Sequence, residues 1–200
     1  GSSPGLVVGF GFGKSGKSGL GPSYLAGIKT SMEDSSITHL VSMDADGSHR
    51  IIDLISLIDN AILQPDALII GSRWVSGGQI TNWPKYRKWI SKAGSGYAKT
   101  ALKLPIKDIT GGFKIYPVSV LQRLDLAKIG SNGYCYQIEM AMACYQTGCQ
   151  ITEIPINFVE RVAGRSKMTT AIVFEAMIQV SLWGLFLRTG FNADKLHYVK

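Results

Sequence analysis

Two acidic side chains, Asp44 and Asp46, stand one residue apart in the segment DADGSH, directly after the apolar run HLVSM. Two carboxylates at this spacing in a turn can present oxygen atoms to one divalent cation. Magnesium or manganese held in this way keeps room for substrate phosphates. The alternative interpretation is a turn that ends a strand, because Asp, Gly and Ser are all common in turns. These residues alone leave the two interpretations equally open.

Basic side chains follow two other apolar runs. Arg73 stands in GSR after DALII, where an arginine could hold a phosphate through a bidentate contact. Arg161, Arg165 and Lys167 lie in the segment VERVAGRSKM, a candidate site for phosphate or an anionic membrane surface. An ordinary surface arginine and a solvated basic loop are the alternative interpretations of these two features.

Two further pairs of polar residues have apolar or aromatic neighbours. Asp108 and Thr110 belong to DITGGF, and Gln137 and Glu139 belong to YCYQIEM. Either pair could orient a sugar. A turn is the alternative for the first pair, and a solvated helix face is the alternative for the second.

The stretch LVVGFGFGKSGKSGLGPSY contains the pattern GxxxxGKS over residues 11–18. In a P-loop nucleotide hydrolase this pattern runs directly into a helix whose N-terminus faces the phosphates. Here Gly19, Gly21 and Pro22 follow, and such residues are expected to break the first turns of a helix. A P-loop is therefore the less favoured alternative, and Lys17 is interpreted as a turn or surface cation.

Composition favours one domain over residues 1–200, since 46% of the 200 residues are hydrophobic and can form a core. The net charge of +7 favours anionic partners. Nucleic acid is not expected, because the basic residues are dispersed and no nucleic-acid-binding motif is recognised. Cys135, Cys144 and Cys149 predict reduced core thiols and a cytosolic chain, and no secretory signal pattern is visible.

Apolar runs and helical patterns alternate along the chain, which predicts an α/β fold with a mainly parallel sheet flanked by helices. Ser48 is the expected N-cap of a helix whose apolar stripe runs from Ile51 to Ile62. Ligands bind at the carboxyl ends of strands in such sheets, so the polar groups above are expected to cluster there. Predicted strands include LVVGF, ITHLVSMD, DALIIGSR, GGFKIYP and QITEIPINF; predicted helices cover about 22–33, 85–102, 118–124, 134–146 and 169–188.

The helix predicted over residues 169–188 approaches the length of a membrane span but carries Glu175 and Gln179 one turn apart. This polar stripe indicates an amphipathic helix. Burial in the fold and a position in a membrane interface both remain open, and a true span is less favoured. Phe174 and Trp183 are the residues expected to contact a membrane in the interfacial case.

Taken in order, seven segments resemble the polyprenol-phosphate (dolichol-phosphate) mannosyltransferases of the inverting family 2 glycosyltransferases, and are most similar to the bacterial polyprenol monophosphomannose synthases. The resemblance runs from about Gly16 to Leu187. The segments are GLGPSYLAG, MDADGSH, IIGSRWVSGG, NWPKYRKWIS, DITGGFKIY, GYCYQIEM and EIPINFVERVAGRSKM.

The resemblance implies a GT-A type fold, a GDP-mannose donor and a polyprenyl phosphate acceptor. It also implies a divalent metal, magnesium or manganese, and a peripheral position on the cytoplasmic face of a membrane, with room for a separate membrane-spanning partner. The family's first nucleotide-binding motifs, a Pro-Thr-Tyr-Asn-Glu-like strand end and an acidic pair, have no counterpart here. An N-terminally truncated member, with a partial or divergent segment over residues 1–15, is therefore expected.

Carried over by position, the resemblance assigns the metal to Asp44 and Asp46 with Ser48 assisting. It assigns the donor diphosphate and acceptor phosphate to four basic residues, and it places Asp108 and Glu139 near the sugar. Asp46, Arg73, Asp108 and Glu139 form the catalytic group under this assignment. The phosphate-binding residues would be Arg73, Arg87, Arg161 and Lys167.

The chemistry that the resemblance implies needs no nucleophilic Ser or Cys. A phosphate monoester with a second pKa of ~6 is already a competent nucleophile near neutral pH, so no strong general base is required. The protein must neutralise the leaving nucleoside diphosphate and align the reacting atoms. An inactive homologue that binds lipid phosphate or a membrane surface is the alternative to the enzyme.

Overall fold

The structure is a computed structural model, and it describes residues 5–8, 20–44, 46–160 and 170–200. Strands and helices alternate along most of this part of the chain. The strands are β1 (Gly5–Val8), β2 (Ile37–Ser42), β3 (Leu68–Ser72), β4 (Gln79–Thr81), β5 (Lys114–Pro117), β6 (Ile151–Pro155) and β7 (Asn157–Val159). The helices are α1 (Leu20–Ser31), α2 (Ile51–Leu63), α3 (Lys85–Leu102), α4 (Val118–Leu121), α5 (Gly133–Gln146) and α6 (Thr170–Thr189).

Five strands of the described chain form the central sheet in the order β1-β2-β5-β3-β6. The pairs β1 with β2 and β3 with β6 are parallel, whereas β5 is antiparallel to both of its neighbours. Four strands therefore run in one direction, as predicted, and β5 is the exception within the sheet. Strands β4 and β7 form a separate parallel pair, because the predicted strand QITEIPINF is interrupted at Ile156.

Strand β3 lies inside the sheet between β5 and β6, and every residue of its sequence LIIGS is buried. Such a continuous apolar run suits a strand that is covered on both faces. Polar residues begin directly after it, so Arg73 emerges at the carboxyl end of the strand. The register pairs Ser42 of β2 with Lys114 of β5, which brings the turn before β5 beside the acidic pair after β2.

Helix α2 differs in two respects from its prediction. Its N-cap is Arg50 rather than Ser48, and no side chain caps it by a hydrogen bond. Its apolar stripe is only partly buried, because Leu57 lies in the core while Ile51, Ile52, Ile55 and Ile62 are exposed. Asp53 is buried beneath the helix and accepts hydrogen bonds from Arg50 (2.6 and 2.8 Å).

Helix α1 begins at Leu20, so Gly21 and Pro22 lie inside its first turn. The expectation that these residues prevent a helix at this point is wrong. The first amides of a helix have no partner within the helix, and a proline there removes no helical hydrogen bond. The GKS pattern itself falls in residues 9–19, outside the described residues.

Helix α6 packs beside α3, with a hydrogen bond between Tyr97 Oη and Ser181 Oγ (2.6 Å). At Gly184 the two backbones approach so closely that a Cβ there would lie 2.8 Å from the Ala101 carbonyl oxygen. Trp183 is 3% exposed and belongs to the core, whereas Phe174 is 65% exposed. The expectation that both face a membrane is therefore wrong for Trp183. None of the helices among the described residues is long and apolar enough to cross a membrane.

The three cysteines are free thiols, and Cys144 is buried while Cys135 and Cys149 are partly buried. Burial raises the pKa of Cys135 to about 11, with the nearby carboxylates of Glu175 and Glu139 adding to the shift. A thiol with a raised pKa carries little thiolate and is a poor nucleophile. Cys144 is thus a core thiol as predicted, whereas Cys135 and Cys149 lie at the edge of the core.

Candidate active site

The acidic pair lies at the carboxyl end of β2, and both of its carboxylates reach solvent. The Asp44 side chain is 47% exposed, and Asp46 is exposed. The backbone N–H of Ser48 donates to Asp46 Oδ1 (3.1 Å), which organises the turn. Ser48 itself is buried. Exposed carboxylate oxygens at a strand end are the ligand type that hard divalent cations take, so Asp44 and Asp46 fit a metal.

His49 completes this segment and was not selected from the sequence. Its side chain is 3% exposed, and its Nε2 atom lies 3.8 Å from Asp44 Oδ2. The ring packs between Phe113 and Phe158, with centroids 4.5 and 5.3 Å away. Neither ring nitrogen makes a hydrogen bond with the described part of the chain. In the sequence, the feature that could have indicated His49 as a site residue was its place at the end of the DADGSH motif.

Helix α1 borders the acidic pair through Tyr24. Tyr24 stacks on Tyr136 with ring centroids 5.4 Å apart. Burial raises the pKa of Tyr24, and the negative charge of Asp44 raises it further, while a hydrogen bond with Ser42 opposes the shift. Tyr24 is therefore close to the acidic pair, although only its place in GLGPSYLAG singled it out in the sequence.

Arg73 and Asp108 form a buried ion pair at the same edge of the sheet. Arg73 donates from Nε and Nη2 to the two oxygens of Asp108, each at 2.7 Å, and its backbone N–H donates to Asp108 Oδ2 (2.8 Å). Nη2 also reaches Thr110 Oγ1 at 3.3 Å. The structure thus joins two of the residues selected from the sequence. Asp108 is fully buried, so the bond to Arg73 balances its charge.

Arg87 lies on α3 and pairs with Glu160 at the end of β7. Its Nη1 donates to both carboxylate oxygens (2.7 and 2.8 Å), and its guanidinium carbon lies 3.9 Å from the centroid of the Trp83 ring. The backbone N–H of Glu160 also donates to the Thr81 carbonyl (3.2 Å). Glu160 directly precedes residues 161–169. Arg161 and Lys167 therefore lie outside the described residues, and their assignment stays a prediction.

The hydrogen-bond partners of Glu139 differ from those of the other residues selected from the sequence. Its carboxylate accepts a hydrogen bond from Tyr198 Oη (2.8 Å) and one from the backbone N–H of Ser131 (2.8 Å). Burial and the Glu139 charge raise the pKa of Tyr198. None of the contacts described for Glu139 joins it to Asp44, Arg73 or Asp108. The structure thus gives Glu139 an anchoring contact with the C-terminal segment, and a role near the sugar stays a prediction.

Gly112 marks the point where the turn before β5 meets the acidic pair and α5. A Cβ on Gly112 would lie 3.5 Å from Gln137 Nε2 and 3.8 Å from Asp44 Oδ1. The Gly112 carbonyl accepts a hydrogen bond from Ser42 Oγ (2.9 Å), which ties this turn to β2. The DITGGF and YCYQIEM segments therefore meet at the acidic pair through Gly112 and Gln137, rather than through Asp108 and Glu139.

A small apolar groove of about 70 Å³ lies between α3 and α6 and reaches the polar centre at one point. That point is Thr110, which lines the groove and also bonds to Arg73. The other lining residues are almost all apolar or small. They include Ile90, Gly94, Tyr97, Ile138, Val173, Met177 and Val180.

The profile of the family described as Glycosyl transferase family 2 matches residues 13–125, which include the acidic pair, Arg73 and Asp108. The chain belongs to glycosyl transferase family 2. The GKS residues fall within the same match, which supports the family over a P-loop hydrolase.

Two relatives match over most of the chain. An undecaprenyl-phosphate mannosyltransferase of Micrococcus luteus is 45% identical over 172 residues, which make up 86% of this chain and 70% of that protein. A polyprenol monophosphomannose synthase of Mycolicibacterium smegmatis is 41% identical over 169 residues, or 84% of this chain and 63% of that protein. The chain thus spans about two thirds of the length of these relatives. The resemblance seen in the seven motifs is confirmed.

Solved structures of this fold include glucosyl-3-phosphoglycerate synthase from Mycobacterium tuberculosis. Its complex with Mn²⁺, UDP-glucose and phosphoglyceric acid matches with a TM-score of 0.59 and 14% identity, over 87% of this chain and 56% of that one. Its complex with Mg²⁺ and UDP matches with a TM-score of 0.53 and 14% identity, over the same shares. This likeness concerns the fold, and it supports the GT-A type that the sequence predicted.

Proposed function

We propose that the protein transfers mannose from GDP-mannose to a polyprenyl phosphate, with inversion at the anomeric carbon. The observation that carries this proposal is the meeting of an apolar groove and a polar centre at Thr110. An acceptor with an isoprenoid chain and a phosphate head needs both surfaces side by side. The names of the two relatives, both of which refer to mannose transfer or mannosyl polyprenol synthesis, support the same substrate class.

The acidic pair is proposed to hold a divalent metal, magnesium or manganese, through Asp44 and Asp46 with Ser48 in support. When bound, such an ion would neutralise charge on the donor diphosphate. Among the described residues no cluster of three or more His, Cys, Asp or Glu side chains forms. Two carboxylates with the remaining positions open are the arrangement that magnesium uses with substrate phosphates.

The phosphate-binding cations are proposed to come mainly from Arg161 and Lys167. Arg73 and Arg87 each bond to a carboxylate, so in these pairs the positive charge is largely balanced. Arg87 is better placed to anchor the basic segment, because its partner Glu160 directly precedes that segment. Arg73 in turn holds Asp108 and Thr110 at the end of the apolar groove.

The reaction can proceed without a protein base. The acceptor phosphate is an anion near neutral pH and attacks the anomeric carbon directly, while the bond to the nucleoside diphosphate breaks. The residues of the site position the two substrates and balance the charge of the leaving group. Attack from the face opposite to the leaving group inverts the configuration and gives a β-linked mannosyl phosphate from an α-linked donor.

Helices α3 and α6 provide a surface suited to the peripheral membrane position that we propose on the cytoplasmic face. Exposed apolar residues on α6 recur at helical spacing, and Trp89 on the neighbouring α3 is also exposed. Lys85 and Lys92 are exposed about one helical turn on either side of Trp89 and would favour anionic headgroups. The exposed large apolar residues of α6 are Phe174, Met177, Ile178, Leu182, Leu185 and Leu187.

The activity test incubates the purified protein with labelled GDP-mannose, magnesium or manganese, and a short polyprenyl phosphate. We expect a lipid-soluble mannosyl product that is lost in the Asp46→Ala variant and kept in the matched surface variant Asp59→Ala. No product, together with binding to phosphate-bearing vesicles, would contradict the transfer reaction and support a lipid-binding module. Hydrolysis of ATP or GTP that Lys17→Ala abolishes would instead support a P-loop enzyme.

The membrane test compares two exposed isoleucines in vesicle co-sedimentation. Ile178 on α6 is 47% exposed and Ile52 on α2 is 62% exposed. Ile178→Ser combined with Phe174→Ser should weaken binding to anionic vesicles, whereas Ile52→Ser should not. Equal binding by all three proteins would contradict the proposed surface. Trp183→Ser is expected to unfold the protein instead, because Trp183 is a core residue.

A further inference from the structure

Lys114 is a fully buried lysine at the start of β5, beneath the turn that meets the acidic pair. Its ammonium group donates to four oxygens of two neighbouring segments. In the turn it contacts the carbonyls of Gly111 (2.6 Å) and Ile109 (3.4 Å). On α5 it contacts the carbonyl of Gln137 (3.2 Å) and the side-chain oxygen Oε1 of the same residue (2.9 Å).

The charge of Lys114 has no carboxylate among these contacts. Burial lowers the pKa of Lys114 to about 7, while Asp108 and Cys144 oppose the shift and Arg73 adds to it. Below this pH the group is an ammonium with three N–H donors and no acceptor. The four oxygen contacts therefore hold this group in place without a carboxylate partner.

The contact with Lys114 determines which way the Gln137 amide points. An ammonium can only donate, so it requires the oxygen Oε1 on its side and turns the Nε2 group to the opposite side. Nε2 lies next to Gly112. A Cβ atom added at Gly112 would lie 3.5 Å from Nε2 and 3.8 Å from Asp44 Oδ1. The amide N–H donors of Gln137 thus face the acidic pair across a glycine.

We propose that Gln137 donates a hydrogen bond from Nε2 to an acceptor oxygen of the sugar nucleotide, and that Lys114 is the positioning residue that orients this amide. This inference rests on the proposed transfer reaction for its substrate. It explains why a lysine is buried here, since an apolar residue would leave Oε1 without its donor and the orientation of the amide unfixed. It also explains the glycine, because a side chain at Gly112 would cover Nε2.

The positioning role is tested first without substrate, by nuclear magnetic resonance of the side-chain amide groups at pH 6.5. The Gln137 NH₂ signals are assigned by their loss in Gln137→Glu. We expect one sharp pair in the unaltered protein and in Lys114→Arg, which keeps a buried donor, and a broadened or doubled pair in Lys114→Met. Identical signals in Lys114→Met would overturn the positioning role. If Lys114→Met fails to fold, Lys114→Gln replaces it: a glutamine can present either its oxygen or its NH₂ group to Gln137, so we expect a doubled pair, and one sharp pair would overturn the positioning role.

The substrate contact is tested with the mannosyl transfer assay and Mg²⁺. Gln137→Glu keeps an oxygen for Lys114 and replaces the donor NH₂ with a second oxygen, so the rate kcat should fall about 100-fold while the protein stays folded. Lys114→Met should lower kcat about tenfold, and Lys114→Arg should restore most of it. Gln122→Glu and Lys29→Met, on the surface, are the matched controls with unchanged kcat.

The outcomes separate this inference from the proposed function. If the unaltered protein transfers mannose and Gln137→Glu is within threefold of its rate, the substrate contact is wrong and the proposed function stands. If the unaltered protein forms no product, the proposed function fails and the substrate contact fails with it. The resonance experiment still decides in that case whether Lys114 orients Gln137.

Discussion

Asp44 and Asp108 lie at the same edge of the sheet and differ in their exposure to solvent and in their partners. Asp44 and its neighbour Asp46 reach solvent at the end of β2, whereas Asp108 is fully buried and bonded to Arg73. In the sequence both sites look alike, since each is an acid in a turn with glycine beside an apolar run. An exposed acid can present its carboxylate to a ligand from solvent, while a buried acid needs a partner within the protein.

This difference divides the edge of the sheet into a solvent-exposed part, which we propose is ligand-facing, and a buried supporting part. Asp44 and Asp46 belong to the first part. Arg73 and Asp108 belong to the second, because they bond mainly to each other and carry Thr110 at the mouth of the apolar groove. Changes in the supporting part should therefore affect stability first, and changes in the ligand-facing part should affect activity alone.

The largest effect on stability is expected for Asp108→Asn. This change removes the charge that balances the buried guanidinium of Arg73, and breaking a buried pair in this way costs about 3–5 kcal/mol. Urea denaturation measures the loss in the free energy of unfolding. Asp59→Asn on the surface of α2 is the control and should change the free energy by less than about 0.5 kcal/mol. A loss as small as that of the control would contradict the supporting role of Asp108.

Asp46→Asn should lower activity and leave stability almost unchanged, which is the opposite of the effect expected for Asp108→Asn. We expect the rate of mannosyl transfer to fall by about 100-fold or more, because a carboxylate that faces the ligand loses its charge. Thermal unfolding should stay close to that of the unaltered protein, since the side chain is exposed. A destabilisation as large as that of Asp108→Asn would remove the distinction between the two parts.

Glu139→Gln tests whether the carboxylate on α5 belongs to the supporting part. An amide cannot accept hydrogen bonds from both Tyr198 and Ser131 in the same way, so the free energy of unfolding should fall by about 1–2 kcal/mol. Tyr198→Phe removes one of these bonds and should cost a similar amount. Mannosyl transfer should fall less than tenfold in both variants. A 100-fold loss of rate at unchanged stability would instead support the catalytic assignment from the resemblance.

The smallest effect is a dependence of stability on pH that comes from Lys114. Its pKa is lowered to about 7 in the folded protein from an ordinary value of 10.5, so between these values the unfolded chain binds more protons. The free energy of unfolding therefore rises as pH increases above 7, by at most ~1.4 kcal/mol for each pH unit.

Denaturation between pH 7 and 8.5 measures how the free energy of unfolding changes with pH in the unaltered protein and in Lys114→Met. The variant lacks the contribution of Lys114. The interval ends at 8.5 because burial raises the pKa of Cys144, and its contribution at higher pH has the opposite sign. Parallel pH curves for the two proteins would show that Lys114 keeps an ordinary pKa when folded.

Local patterns predicted a large share of the fold. The bounds of α3 agree with the predicted residues 85–102, and β2, β3 and β5 lie inside the predicted apolar runs. These elements depend on periodicity, on apolar runs and on turn residues, which are properties of neighbouring positions. The antiparallel direction of β5 could not be predicted in this way, because it depends on the path of the chain around α3.

The partners of the residues selected from the sequence were harder to predict than the secondary structure. Arg73 and Asp108 are 35 positions apart, Arg87 and Glu160 are 73 apart, and Glu139 and Tyr198 are 59 apart. Types and motifs identified four of these six residues, Arg73, Asp108, Arg87 and Glu139, whereas Glu160 and Tyr198 were not selected. Which charge balances which is decided by packing, and a charged residue has the same appearance in a sequence whether it binds a ligand or another side chain.

The sequence by itself determined the family, the alternation of strands and helices, and the position of the acidic pair directly after a strand. These follow from motif order and from local hydrophobic patterns. Only the tertiary structure decided that Arg73 and Arg87 bond to carboxylates, that Trp183 is buried while Phe174 is exposed, and that Lys114 lies under Gln137. The physical reason is that burial and ion pairing depend on segments that are distant in the chain and meet only in the folded protein.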